Sequence, residues 1–435
     1  MEIFGIILVC IVGIYILTSL RFPIVVWYHK HKLKKVTKYK NKDFANFYVL
    51  LPGLREQALV KDTIEYFNKM NYPKDKLHIC IVTTQRENFE YQKKNIQTQT
   101  TQDLALKIIA EQNLNFETLN LHYPNNIGNK ASQLNYAIKQ ILENYQTGDN
   151  CYFAMFDFDS RPDLNYFDLA NKSIELNKQP DIVQSVPFFL YNIKEISQNP
   201  KHFVSVNFAM EQACRSGCVE IWNLLANAKR SIALFPLYAM GASLIVKKQT
   251  LIEQDYIPEP VDDLPLGFRY FINKKRFCYL PSIVLGDLPE KPKMFFNQAI
   301  LIQKGNVMAL KEAKRKGTAK CTLWRRFLVL CEFVSAFLFK FTIPLACLVY
   351  LILSCIFGFS WYCLAILLAP YLRFVSGTLV TTIFVKKKIC FGTWLISFLL
   401  AFITPFCMGY GPAKNIWLET KKKLLKKDIV YKKTE

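Results

Sequence analysis

The pattern of apolar positions divides the chain into three parts. An apolar run from Ile3 to Leu20 is long enough to span a bilayer, and it lacks a basic leading segment and a small-residue cleavage site. We therefore expect a retained transmembrane anchor at residues 1–28. Between residues 46 and 310, short apolar runs alternate with helical patterns. Residues 311–411 are mostly apolar and are predicted to form interfacial and transmembrane helices.

The middle part has the pattern of an α/β domain. Phe47 to Pro52 and Leu77 to Thr84 are continuous apolar runs of strand length, and a third run begins at Cys151. A helical stripe starts near Lys130, between the second and third of these runs. Continuous apolar strands separated by helices predict a parallel-rich sheet that is covered by helices on both faces. Neither a dinucleotide-binding fingerprint nor a P-loop occurs in it.

The C-terminal blocks allow two membrane topologies. Phe341 to Phe357, Cys363 to Val385 and Cys390 to Met408 are each long enough to span, whereas Leu323 to Phe339 carries charges and suits an interfacial amphipathic helix. An even number of crossings returns the basic tail to the side of the first basic segment. Four spans, with Leu323 to Phe339 crossing as well, are favoured because the later blocks are so continuously apolar. Two spans with a re-entrant last segment remain the alternative.

The net charge of +22 indicates an anionic partner. Basic residues cluster beside apolar segments, within residues 29–45, 311–326 and 412–435. This arrangement favours anionic lipid headgroups over nucleic acid, which is bound by basic residues interleaved with aromatic ones on a soluble face. The positive-inside tendency places the basic juxtamembrane linker at residues 29–45, the domain at residues 46–310 and the tail in the cytoplasm, at the plasma (inner) membrane. His29 is expected to contact lipid headgroups.

Two carboxylates follow the third apolar run at alternate positions. Asp157 and Asp159 share one face if the strand continues to them. The carboxyl end of a strand is where open α/β sheets bind ligands, so the pair can hold a divalent cation there. The alternative is a solvated turn after a core strand. A second acidic stretch runs from Glu259 to Arg269 and is another candidate part of the site. The alternative interpretation is a polar loop in which Asp262 caps a helix.

Four short motifs, in this order and spacing, resemble those of membrane-anchored glycosyltransferases of family 2, the superfamily of cellulose, chitin and hyaluronan synthases. The matching segments are Pro52–Glu56 for P-x-x-x-E, Lys130–Asn135 for K-A-x-x-L-N, Asp157–Asp159 for D-x-D and Asp262–Arg269 for E-D-x-D-L-G-x-R. In the last motif, Asp262 replaces the Glu and a proline replaces the third acid. The resemblance covers about residues 48–305. It implies a nucleotide-sugar-binding glycosyltransferase A-type fold.

The resemblance also implies roles for individual residues. Asp263 is the expected general base, and Asp157 and Asp159 are expected to hold Mg²⁺ or Mn²⁺. The residues expected to bind or orient the nucleotide-sugar donor are Glu56, Glu87, Lys130, Asn135, Asp157, Asp262, Arg269 and Gln298.

The sequence departs from the family pattern in two places. Many relatives have an Asp that meets the uracil after the second strand, and here Glu87 is the candidate substitute. The segment from Gln298 to Gly305 aligns with Q-R-x-R-W-x-x-G. Leu301 stands there in place of the Arg that meets the diphosphate, and Ile302 in place of the Trp that stacks on an acceptor sugar. The loss of the stacking residue favours addition of one sugar over processive synthesis.

The resemblance therefore implies an inverting, metal-dependent glycosyltransferase, expected to use a UDP-sugar. Its acceptor is expected to be a lipid or glycan at the membrane. A processive polysaccharide synthase is one alternative. Another is a non-catalytic membrane protein with a degenerate nucleotide-sugar-binding domain, which the altered segment after Gln298 favours and the intact acidic residues disfavour.

Overall fold

The computed structural model describes residues 2–228, 236, 239–314 and 323–425. Its strands are β1 (Asn46–Pro52), β2 (Leu77–Thr84), β3 (Glu117–Tyr123), β4 (Cys151–Met155), β5 (Arg161–Pro162), β6 (Ile182–Phe189), β7 (Leu244–Lys247) and β8 (Phe277–Gly286). These strands form one sheet in the order β3-β2-β1-β4-β7-β6-β8-β5.

The helices cover both the domain and the two terminal regions. They are α1 (Glu2–Ser19), α2 (Phe22–Lys38), α3 (Val60–Phe67), α4 (Gln85–Lys94), α5 (Thr101–Glu111), α6 (Lys130–Asn144), α7 (Tyr166–Leu176), α8 (Ile193–Ile196), α9 (Phe203–Cys214), α10 (Ile221–Ala228), α11 (Lys248–Glu253), α12 (Asp263–Ile272), α13 (Pro292–Lys314), α14 (Leu323–Phe337), α15 (Ile343–Phe357), α16 (Trp361–Val380), α17 (Phe391–Leu399) and α18 (Thr404–Leu425). Single π-helical turns, Arg215–Glu220, Leu338–Thr342 and Thr381–Val385, interrupt the longer ones.

The sheet is mixed, with a parallel half that carries the predicted site. β3, β2, β1 and β4 are parallel neighbours. β7 runs antiparallel to both β4 and β6, β8 is parallel to β6, and β5 is antiparallel to β8. The predicted α/β class is therefore confirmed, and parallel pairing is continuous from β3 to β4 and recurs between β6 and β8.

Alternate residues of the central strands build the two core layers. In β1, Val49 packs with the α3 side of the sheet, whereas Leu50 packs with the α6 side. Both side chains are fully buried. Because both faces are covered, β1 and β4 consist almost entirely of apolar residues. Their carboxyl ends therefore meet at one edge of the domain, beside the amino end of α6.

Among the residues that the structure describes, three helices are long and apolar enough to cross a membrane: Glu2–Lys38, Leu323–Phe357 and Trp361–Val385. The second is one continuous helix with a π turn at Lys340, so the structure does not confirm two crossings between residues 323 and 357. The stretch Cys390 to Met408, predicted as a further span, is divided between α17 and α18 around Leu400. Part of the basic cluster at residues 311–326, and the tail beyond residue 425, lie outside the described residues.

The apolar helices pack on the domain through polar as well as apolar contacts. His29, on α2, bonds through Nδ1 to the hydroxyl of Tyr279 on β8 at 2.6 Å, so it is buried in the fold and does not contact headgroups. Arg373, on α16, pairs with Glu211 on α9 at 2.5 Å. After the third candidate span, the Lys387 ammonium lies 4.9 Å from the centre of the Tyr191 ring. The segment at Lys387 therefore packs against the domain.

Candidate active site

The end of β4 forms a tight acidic turn. The backbone N–H of Asp157 donates to Ser160 Oγ at 3.1 Å, and the N–H of Ser160 donates back to the Asp157 carbonyl at 3.0 Å. Asp159 Oδ2 accepts from the backbone N–H of Asp287, just after β8, at 2.9 Å. The turn therefore fixes Asp159 against the end of a second strand and leaves Asp157 facing α6.

Lys130 is the first residue of α6 and lies between two aspartates. Its Nζ is 2.5 Å from Asp157 Oδ1 and 3.3 Å from Asp262 Oδ2. The helix begins there because Asn129 caps it, accepting from the backbone N–H of Ser132 at 3.0 Å. One ammonium thus joins the turn after β4 to the acidic stretch before α12.

The next turn of α6 holds the acidic stretch in place. Ser132 Oγ donates to Glu259 Oε2 at 2.7 Å. Asn135 donates to the carbonyl of Ile257 and accepts from its backbone N–H, both at 2.9 Å. Side chains from the first two turns of α6 therefore contact the acidic stretch, and Asn135 bonds in both directions to the backbone just before it.

Asp263 is held by two backbone donors. Its Oδ1 accepts from the N–H of Leu264 at 2.7 Å, and its Oδ2 accepts from the N–H of Gly241 at 3.4 Å. A Cβ added to Gly241 would lie 3.1 Å from Lys130 Nζ and 3.2 Å from Asp262 Oδ2. Gly241 is thus a site residue that the motif analysis missed. The only sequence signal was a glycine three residues before a short apolar run.

Burial and mutual repulsion perturb the carboxyl groups. Burial and the nearby Asp157 charge raise the pKa of Asp159 to about 6. Burial and the Asp262 charge raise the pKa of Asp263 to about 7, against the opposing charge of Lys130. Burial alone would lower the pKa of Lys130, but the surrounding aspartates outweigh it and raise that pKa. Burial and the neighbouring negative charges therefore favour the neutral forms of Asp159 and Asp263.

Two predicted donor ligands are engaged elsewhere. Glu87 is buried, and its carboxylate accepts from Gln57 Nε2 at 2.6 Å and from the backbone N–H groups of Arg55 and Thr101. These bonds tie the loop after β1 to α5, so the structure does not support Glu87 as a base-reading residue.

Arg269 forms a buried bidentate pair with Glu312 on α13, with N–O distances of 2.9 and 3.0 Å. Its third nitrogen donates to backbone carbonyls at residues 254–256. The guanidinium joins α12 to α13 and does not join the cluster, so the structure does not support the predicted diphosphate contact.

The two remaining candidates lie apart from the lysine. Glu56 is in the loop after β1, where its backbone N–H donates to Thr101 Oγ1 at 2.9 Å. Gln298 lies on α13, where it lines a cleft together with Phe208 and Ile302. The structure therefore brings together Lys130, Asp157, Asp262 and Asp263, with Asp159 and Asn135 beside them.

The donor set suits a hard divalent cation. Asp157 and Asp159 provide carboxylate oxygens, and they are close enough for the charge of Asp157 to act on Asp159. Within the described parts of the chain, no group of three or more His, Cys, Asp or Glu side chains could hold a metal ion. Mg²⁺ is commonly held by one or two carboxylates together with substrate phosphates. The two aspartates therefore fit a metal that a diphosphate helps to coordinate.

No protein-family model and no curated protein matches the sequence. The structure is similar to the mannosyltransferase PcManGT from Pyrobaculum calidifontis in complex with GDP-Man and Mn²⁺, with 15% identity, a TM-score of 0.49, and coverage of 94% of this chain and 99% of that chain. It is also similar to S. aureus TarS 1-349 in complex with UDP-GlcNAc, with 14% identity, a TM-score of 0.38, and coverage of 66% and 71%.

Proposed function

We propose that the protein is an inverting, metal-dependent glycosyltransferase of family 2. It moves one sugar from a nucleotide-sugar donor, expected to be UDP-linked, to a lipid-linked or membrane-associated acceptor. The observation that carries the proposal is the cluster of Asp157, Asp262 and Asp263 around Lys130, at the carboxyl ends of β1 and β4. Ligands of open α/β sheets bind at this edge, and titratable groups shifted towards neutrality are typical of active sites.

The cluster is suited to the charge of a leaving diphosphate. Asp157 and Asp159 would hold Mg²⁺ or Mn²⁺, which when bound supplies Lewis-acid stabilisation of the leaving group. Lys130 provides a positive charge next to Asp157. Lys130 is the proposed source of positive charge for the diphosphate, because Leu301 stands where the family resemblance predicts an arginine. Asp262 orients Lys130, and Glu56 and Gln298 remain candidates for contacts with the rest of the donor.

Asp263 is the proposed general base. The acceptor oxygen bonds to the anomeric carbon while its proton passes to the Asp263 carboxylate. The bond from that carbon to the diphosphate oxygen breaks, and its electron pair leaves with the nucleoside diphosphate. Attack opposite the leaving group inverts the anomeric configuration. A pKa of about 7 suits a base that must be deprotonated near neutrality and still hold a proton.

The packing supports a membrane protein with three crossings. α1 packs along α15 and α16 through an apolar cluster that includes Leu8, Tyr350 and Ile366. Helices Leu323–Phe357 and Trp361–Val385 are joined by a short loop, so they run in opposite directions. The contact of Lys387 with Tyr191 then returns the chain to the side of the domain. We assign that side to the cytoplasm because the basic segments lie there.

Addition of a single sugar is proposed because Ile302 replaces the aromatic residue on which an acceptor sugar would stack. A processive synthase would need another stacking residue for the growing chain. The altered segment after Gln298 favours the other alternative, a protein that binds nucleotide-sugars without transferring the sugar.

A panel of labelled nucleotide-sugars, supplied to membranes that contain the protein, separates these functions. We expect metal-dependent transfer of label from one donor into the lipid extract, one sugar per acceptor. A ladder of long glycans would identify a processive synthase. Donor binding without release of nucleoside diphosphate would identify a non-catalytic protein.

A further inference from the structure

A narrow cleft beside α13 is left unexplained by the donor site. It lies between α9, α13 and the π turn Leu338–Thr342. The cleft has both apolar and polar walls, among them Phe208, Phe295, Ile302, Gln212, Gln298 and Lys340.

Lys340 is the unusual member of this lining. It lies inside the apolar helix Leu323–Phe357, in a π turn, and such turns are frequent at functional sites. In the described residues, no hydrogen bond or ion pair joins the Lys340 ammonium to another side chain. A lysine within an apolar membrane helix is costly and commonly marks a ligand or ion pathway. The Lys340 ammonium also interacts with the charges of Arg215, Glu332 and Glu220, and an anionic ligand bound in the cleft would favour its charged form.

The other walls suit a hydrocarbon chain. The rings of Phe208 and Phe295 stack with their centres 4.4 Å apart and their planes at 12°. Ile302 continues this apolar surface along α13. A ligand that fits both the lysine and these walls has a charged headgroup joined to an apolar chain, which is the chemistry of a lipid phosphate.

The cleft is connected to the proposed general base through α13. A Cβ on Gly305 would lie 3.2 Å from Leu264 Cδ2, and Leu264 follows Asp263 directly. Ile302 and Gln298 lie about one and two helical turns before Gly305, or roughly 5 and 10 Å along the axis. The Gln298–Ile302 wall of the cleft is therefore joined by one helix to the residue that follows Asp263.

We propose that this cleft binds the phosphate of a lipid acceptor. Lys340 contacts the phosphate, and Phe208 and Phe295 contact the first part of the hydrocarbon chain. The inference rests on the proposed function, because it names the class of acceptor that the transferase uses.

Direct binding to the purified full chain in detergent tests this site. The probes are a short prenyl monophosphate, the prenyl alcohol of the same length and inorganic phosphate. We expect Lys340→Met to weaken binding of the prenyl phosphate by about tenfold or more, the loss expected for one charge-assisted hydrogen bond. Lys340→Arg should retain most of the affinity. Lys107→Met, which changes an exposed lysine on α5, should retain all of it.

Melting temperatures of the variants show whether each remains folded, and donor cleavage by the wild type is measured separately. Equal prenyl phosphate affinity in folded Lys340→Met would overturn the inference. So would a loss that appears in Lys311→Met instead, because the headgroup would then sit on the neighbouring basic cluster. Inorganic phosphate binding as tightly as the prenyl phosphate would overturn the lipid assignment. A wild type that binds the prenyl phosphate through Lys340 but cleaves no donor supports the lipid site and refutes the transferase.

Discussion

Raising the pH from about 6 to about 8 should increase kcat/KM for sugar transfer about tenfold. Asp263 must lose its proton before it can accept one from the acceptor, and its pKa in the donor-free protein is raised to about 7. A carboxyl group with this pKa is about one-tenth deprotonated at pH 6 and about nine-tenths deprotonated at pH 8. The rate should therefore rise with pH and level off above about pH 8, since kcat/KM reports the free enzyme.

Lys130→Met provides the internal check on this assignment. The lysine charge lowers the pKa of Asp263, so its removal should move the rising limb to higher pH as well as slow the reaction. The assay is release of nucleoside diphosphate at fixed metal and acceptor, from about pH 5 to 9. A profile that is flat between about pH 6 and 8 would refute the reasoning. If the rising part of the pH profile stays at the same pH in Lys130→Met, it reports a group of the substrate. That result would also contradict the assignment to Asp263.

Four further predictions follow from the same contacts. The donor-free protein should melt at a lower temperature at about pH 8 than at about pH 5. Folding raises the pKa of Asp263, and such a carboxyl group contributes stability at low pH that is lost as the pH rises through about 7. A higher melting temperature at about pH 8 would count against this pKa shift. Gly241→Ala should leave the fold intact and reduce turnover by about tenfold, since its Cβ crowds the lysine and a carboxylate of the cluster; wild-type turnover would contradict this. Arg269→Met should reduce stability by about 3–5 kcal/mol, as removal of one partner of a buried ion pair does, without changing donor affinity; weaker donor binding at unchanged stability would restore its role as a ligand. A tag inserted after Lys388 should be accessible from the side of the domain, and a tag in the loop between the two C-terminal candidate helices from the other side.

The alternation of apolar runs predicted the strands and the helix of the site well. β1, β2 and β4 and the start of α6 lie where the pattern placed them, because strands covered on both faces leave a continuous apolar signal. β7 was not predicted, since four residues carry too little periodicity. The antiparallel direction of β7 was not predictable either, because it is set by pairing with β4 and β6 in the folded chain.

The motifs predicted which residue types matter, but not which atoms face one another. The contact between Lys130 and Asp157 joins residues 27 positions apart, so only the folded chain shows it. Arg269 fits its motif, yet it pairs with a glutamate on α13, which no local pattern indicates. Gly241 contributes a backbone N–H and the absence of a side chain, neither of which leaves a chemical signal in the sequence.

Apolar length alone also could not fix the membrane segments. Leu323–Phe357 contains two blocks of spanning length around Lys340, and the sequence allowed a reversal between them. The structure keeps the helix continuous with a π turn at the lysine. The break after α17 falls near Leu400, within an apolar block that is otherwise long enough to span.

The central claim, that the cluster at the end of β4 transfers a sugar, is tested most directly by turnover of Asp159→Asn. Purified wild type and variant are compared for release of nucleoside diphosphate from the active donor, over a titration of Mn²⁺ or Mg²⁺. We predict metal-dependent release by the wild type and none by the variant. Both proteins should remain folded and inserted in the membrane, because the amide oxygen of the variant can still accept the hydrogen bond from the backbone N–H of Asp287. The variant loses the negative charge that would help to hold the metal. Equal release by Asp159→Asn at saturating metal would contradict the claim.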